Sequence, residues 1–216
     1  MGIINRGILG GFQNKTGAVV GVRWRGIDVM RGIPRKCSKP DSQAQLDYQM
    51  KFRLLSKLLT KVASVIEVGF KNPRARPTAM NRAMSFNLKY ALIGMAPDYQ
   101  LDYSKLCFSR GTRALVKDAA VFGLAQAQLS FSWSYAGDQD QNENALDLVN
   151  FLVYNPAKDV MIKQIRAVKR ADAGFVFPLP LGFSGDTVHA YLVIESAYPL
   201  GSVSDTLYLG EILVLP

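Results

Sequence analysis

AQLSFSWSYA, residues 127–136, places Leu129, Phe131, Trp133 and Tyr135 at alternate positions, with Ser130, Ser132 and Ser134 between them. Successive side chains of a strand leave opposite faces, so this stretch reads as a half-buried β-strand, apolar inside and polar outside. The rest of the C-terminal half follows it. LVNFLVYNP (148–156), IKQIRAVKRADAGFVFPLP (162–180), DTVHAYLVIES (186–196) and DTLYLGEILVL (205–215) are further strands, separated by the turn clusters AGDQDQNEN, NPAKD, GFSGD and YPLGSVSD. Short strands at this spacing with no helical stretch between them predict a β-sandwich.

The N-terminal half reads differently. Residues 18–33 alternate, with Val20, Val22 and Trp24 on one side and Arg23 and Arg25 on the other, and the pattern shifts at Gly26. This predicts strand, bulge or turn, and strand, preceded by a turn at QNKTG. Pro34–Pro40 is a basic connector. From Asp41 or Ser42, Leu46, Met50, Leu54, Leu58, Val62 and Ile66 recur every four residues, so one long amphipathic helix is expected, closed by Gly69. Thr78 is the expected N-cap of a shorter helix ending about Tyr90. DYQLDYSKLCFSRG (98–111) alternates loosely and is expected to form another bulged strand, with Cys107 as a buried strand residue.

The fold class expected is therefore α+β: a basic part with bulged strands and two helices, then an all-β sandwich. Charge supports a division. The chain of 216 residues has a net charge of +9, yet residues 1–120 hold 21 Lys/Arg against 7 Asp/Glu and residues 121–216 hold 5 against 10. A sign change of that size predicts domains at 1–122 (basic, α+β) and 123–216 (acidic, β-sandwich), each of ordinary domain size.

Two resemblances accompany this reading. YLVIESAYPLGSVSDTLYL (191–209), through Tyr191, Gly201, Ser202 and Ser204, resembles the late strands of a fibronectin type III or Ig-like sandwich, with Trp133 in the place of that family's core tryptophan. GILGGFQNKTGAVVGVRWRG (7–26), with FSRG (108–111) and LVYNPAKD (152–159), resembles a bacterial domain-of-unknown-function family, mostly from Bacteroidota, over nearly the whole chain. The second resemblance implies the two-part layout and no activity.

Little in the chain suggests catalysis. The one histidine, His189, sits mid-strand with no nucleophile elbow and is expected at a surface or interface. GGFQNKTG contains Lys15-Thr16 but lacks the spacing of a phosphate loop and leads into a strand, not a helix. Residues 138–147 alternate acids and amides as calcium loops begin, but Glu143 stands where the loop glycine belongs and Val149 where the last glutamate belongs; a solvated turn is expected. Cys37 and Cys107 supply neither a disulfide framework nor a zinc site. No enzyme activity, cofactor, metal or small-molecule substrate is expected, nor any membrane span, and the absence of a signal-peptide pattern points to the cytoplasm.

What remains is interaction. The expected function is a structural or assembly protein, a homo-oligomer joined through its oppositely charged halves. The alternative is nucleic-acid binding by the basic half, with arginines neutralising phosphates and an indole stacking on a base. The contact candidates for either are Arg23, Trp24, Arg25 and Arg31 on the strands and Arg35 and Lys36 on the connector. Lys51, Lys57 and Lys61 on the long helix and Arg74 and Arg76 in the loop after it complete the set.

Overall fold

A computed structural model describes residues 3–4, 10–24, 26–34, 39–72, 77–137, 143–198 and 201–216. Of the contact candidates, Arg25, Arg35, Lys36, Arg74 and Arg76 lie outside the described residues. The chain divides into two compact units, Met1–Ser42 and Gln43–Pro216.

The first unit is one antiparallel sheet, ordered β1 (Ile3–Ile4), β2 (Phe12–Thr16), β3 (Val19–Trp24) and β4 (Ile27–Gly32). QNKT belongs to strand β2, and the expected turn falls one step later, where Thr16 pairs with Val19 around Gly17. Trp24 pairs with Ile27, so the shift at Gly26 is a two-residue hairpin turn, and Gly26 takes the left-handed backbone (φ 83°) such a turn needs. Gly21 is required for another reason: a Cβ there would lie 2.0 Å from the Phe12 carbonyl oxygen of the neighbouring strand.

The second unit begins with α1 (Gln43–Lys61), α2 (Ala63–Gly69) and α3 (Ala79–Tyr90). The expected long helix is thus two, broken at Val62, whose φ and ψ (−113°, 21°) leave the helical region. Thr78 caps α3 by accepting a hydrogen bond from the Asn81 backbone N–H. The segment after α3 is not the expected bulged strand. It holds two-residue strands β5 (Leu92–Ile93) and β6 (Gln100–Leu101), a 3₁₀ turn at Tyr103–Lys105, and irregular chain through Arg110. Side chains replace the missing strand partner. Asn87 donates to the Cys107 carbonyl (2.8 Å) and accepts from its N–H (2.9 Å), and Thr206 Oγ1 accepts from Phe108 and Ser109 (2.9 Å each). Cys107 is buried there, though not in a strand.

The remaining seven strands are β7 (Lys117–Leu124), β8 (Gln128–Ser134), β9 (Leu148–Asn155), β10 (Val160–Lys169), β11 (Gly174–Pro178), β12 (Thr187–Glu195) and β13 (Leu207–Leu213). They form two antiparallel sheets, β11-β8-β7 and β10-β9-β12-β13. Leu129, Phe131 and Trp133 of β8 meet Val149, Phe151 and Val153 of β9 and Val188, Ala190, Leu192 and Ile194 of β12 in one core, as facing sheets of a sandwich do.

Strands β9 and β12 depart from the alternation of β8 because their second face is covered too. Leu152, Tyr154, Tyr191 and Val193 share a core with Leu55, Leu58, Leu59, Val62 and Ile66 of the helices. A strand covered on both faces needs apolar side chains at nearly every position, as LVNFLVY and AYLVI supply. The second unit therefore has three layers: helices, the four-stranded sheet, the three-stranded sheet. This corrects the division at 122/123, which falls within β7 and separates helices from the sheet they help to bury. Charge composition marks surfaces, whereas contiguity of cores marks domains.

Candidate functional site

The first unit carries the strand-borne contact candidates. Cross-strand partners lie on the same face, so the register puts Val22 beside Val29 and Trp24 beside Ile27, with Lys15, Val20 and Arg31 abreast on the same side. Arg23 is on the opposite face, paired with Asp28. The cations that accompany Trp24 are therefore Lys15 and Arg31. The apolar residues of this sheet are not hidden: Trp24 is 50 % exposed, Ile27 62 % and Met30 65 %, and Val22 and Val29 are exposed as well. Among the described strand residues of this unit only Gly21, which has no side chain, is buried. Arg23 and Arg31 are exposed.

The helix-borne candidates are engaged within the chain. Lys57 and Lys61 stand 2.7 and 2.5 Å from the Asp159 carboxylate, which also accepts from the Tyr154 hydroxyl at 2.9 Å. These partners hold the Asp159 carboxyl well below the usual carboxylate range. Lys51 lies over the rings of Tyr99 (4.6 Å) and Tyr48 (5.7 Å). The opposite charges of the two halves thus meet inside one molecule: Lys57 and Lys61 reach Asp159, and Arg113 reaches Asp147 at 3.1 Å.

The Asp159 cluster is directly testable. Asp159 has a left-handed backbone (φ 52°) that asparagine tolerates, so Asp159→Asn removes the charge alone. Two partly exposed pairs predict a loss of roughly 1 kcal/mol at pH 7. A depressed folded-state carboxyl stabilises above the unfolded value of about 3.9 and loses that contribution as pH falls toward the folded one. Urea unfolding at pH 7 and pH 3 is expected to show the difference between wild type and variant shrinking with acid.

His189 is buried rather than exposed. It faces the helix side of its sheet, stacked on Tyr103 at 4.2 Å, and its Nδ1 is 3.0 Å from the Tyr208 hydroxyl. Burial pushes the imidazole below its ordinary value, with Glu211 across the strand pair opposing in part, so the ring is held neutral. Burial likewise pushes the Cys107 thiol up, away from the thiolate a nucleophile requires. Of the acidic turn, residues 138–142 lie outside the described residues, while Glu143 and Asp147 point inward at Arg170 (3.1 and 3.8 Å). Among the described residues no three His, Cys, Asp or Glu side chains converge as metal ligands, and no helix is long and apolar enough to cross a membrane.

One cluster escaped sequence reasoning. Lys71 after α2, Arg82 on α3 and Arg110 after the 3₁₀ turn line a groove of about 460 Å³, with Phe86 and Asp205. Their separations in the chain carry no motif; only the fold joins them.

Comparison with known proteins adds no activity. The sequence matches none of the curated proteins. Solved structures similar to it include the FN1–FN3 domains of chicken CNTN1, at 13 % identity over 50 % of this chain and 34 % of that one, TM-score 0.32. The fn3 domain of human collagen alpha-1(XX) chain is similar at 15 % identity over 48 % of this chain and 88 % of that one, TM-score 0.31. The chain thus spans about a third of the CNTN1 structure. A model of a family of unknown function matches residues 11–210, and the chain belongs to that family, DUF6266.

Proposed function

We propose that the protein is a non-enzymatic assembly module, in which a fibronectin type III-like body carries an N-terminal sheet that is completed by a second copy of the chain. The observation behind this reading is the exposure of Val22, Trp24, Ile27 and Val29 on one face of a sheet whose described strands bury no side chain of their own. A small sheet needs apolar burial to hold together, and a second copy of the same face supplies it symmetrically. Strand β4, last in the sheet and exposed along its whole length, offers unpaired backbone groups for strand addition as well. Because acidic residues of the second half are already paired within the chain, the driving force is apolar burial rather than attraction between halves.

Light scattering coupled to size exclusion tests this. A dimer or larger species is expected that persists in high salt, and Trp24→Ser with Ile27→Lys is expected to weaken association at least about 10-fold. A monomer at all concentrations and salts would sink the reading. The second reading, nucleic-acid binding, is favoured by one observation: exposed Trp24 shares its face with Arg31 and Lys15. It predicts co-purified nucleic acid, seen as a raised 260/280 nm ratio, and affinity falling log-linearly with salt.

A further inference from the structure

We infer that the groove between α2, α3 and the segment after the 3₁₀ turn is a binding site for a phosphoryl oxyanion, held by Lys71, Arg82 and Arg110. Three cations line it against one carboxylate, Asp205, which already accepts from the Gly111 N–H at 3.1 Å. Among the described residues none of the three cations forms an ion pair. Three cations around a single carboxylate leave a net positive charge, and the arrangement is relieved when an anion enters.

Arg82 carries the argument furthest. It projects from the first turns of α3, and its Nε is shut off from water with no hydrogen-bond partner among the described residues. Buried guanidinium N–H groups are normally satisfied, and this one leaves the Arg82 charge short of an acceptor among the described residues. Arg110 is held in place by its neighbours. Its N–H donates to the Gly69 carbonyl at 2.9 Å, and its guanidinium lies 4.7 Å from the Phe86 ring centre. Stacking on an aromatic face leaves the guanidinium edge available for the bidentate contact that phosphate oxygens favour. The chain that leads into Arg110 is fixed as well, with Asn87 bonded to Cys107 and Thr206 to Phe108 and Ser109. A volume of about 460 Å³ exceeds what a bare anion fills, which leaves room for the group that bears the phosphate.

Isothermal titration of the full chain with inorganic phosphate, and separately with AMP, at constant ionic strength tests the site. Saturable one-to-one binding is expected, weakened at least ~10-fold by Lys71→Gln and by Arg82→Gln and unchanged by Arg53→Gln on the exposed face of α1. Equal affinities would identify the free ion as the ligand, and tighter AMP a phosphate ester. No saturable binding of either probe, or full affinity in both groove variants, would overturn the assignment. If Arg82→Gln loses its fold by circular dichroism, Lys71→Gln decides alone.

Discussion

Arg170→Met is expected to cost about 3–5 kcal/mol of unfolding free energy, because it breaks a buried ion-pair network while leaving its anions inside. Arg170 sits in the 3₁₀ turn between β10 and β11 and is 2 % exposed. Its guanidinium donates to the Ala114 and Leu115 carbonyls at 2.9 and 2.8 Å and to Glu143 at 3.1 Å, and lies 3.8 Å from Asp147. Asp147 is fully buried, and burial pushes its carboxyl upward against the opposing pull of Arg113 and Arg170. Methionine fills similar space yet offers no donor, so two carbonyls lose their partners and Asp147 is left with Arg113. Arg170→Lys retains charge without the planar fork, and a smaller loss is expected from it. Guanidinium chloride titration measures both; a loss under about 1 kcal/mol for the methionine variant would show that the network relaxes without cost.

Phe151→Ala is the second large effect, expected at about 3–5 kcal/mol from lost transfer energy and a cavity between the sheets. Phe151 is fully buried, with Phe131 at 4.6 Å, Phe175 stacked at 4.9 Å and Trp133 at 6.0 Å. Phe151→Leu keeps most of the volume and is expected to lose under about 1.5 kcal/mol. The neighbouring Leu152 faces the helices instead, so Leu152→Ala, expected at about 2–5 kcal/mol, reports on the other core from the same strand. Wild-type stability in either alanine variant would contradict the double burial of β9.

Local periodicity carried much of this fold. The four-residue recurrence from Leu46 to Ile66 predicted helix, and Leu58, Val62 and Ile66 are indeed buried, but Leu46 and Met50 are exposed at the start of α1. An apolar stripe states which face is apolar, not how far its neighbour extends. Thr78 and the serine-alternating strand β8 were legible because capping and pleating are local rules. The segment around Leu101–Phe108 misled for the converse reason. Its alternation suits a strand, but a strand exists only where a partner lies alongside, and here Asn87 and Thr206 provide the bonds.

The texture of 148–154 holds more than a sandwich requires. Its lack of polar alternation already implied cover on both faces, which a sandwich alone does not provide. The ion pairs were not visible at all: Lys61 and Asp159 are 98 positions apart, and Arg170 meets Asp147 without any motif. Opposite charge in two halves reads equally as mutual attraction between molecules or within one. The basic groove at Lys71, Arg82 and Arg110 was hidden by the same distance in sequence.

The doubly covered strands have a consequence for how this chain tolerates change. In most antiparallel sheets every second residue faces water and varies at little cost. Residues 149–155 and 188–195 offer no such positions, since each is buried against one layer or the other. Random substitution there meets a packed neighbour whichever way the side chain points, and even the polar Asn150, His189 and Glu195 are enclosed and hydrogen-bonded. A deep mutational scan would find these two runs as unbroken intolerant blocks, without the every-other-residue rhythm that marks an ordinary strand.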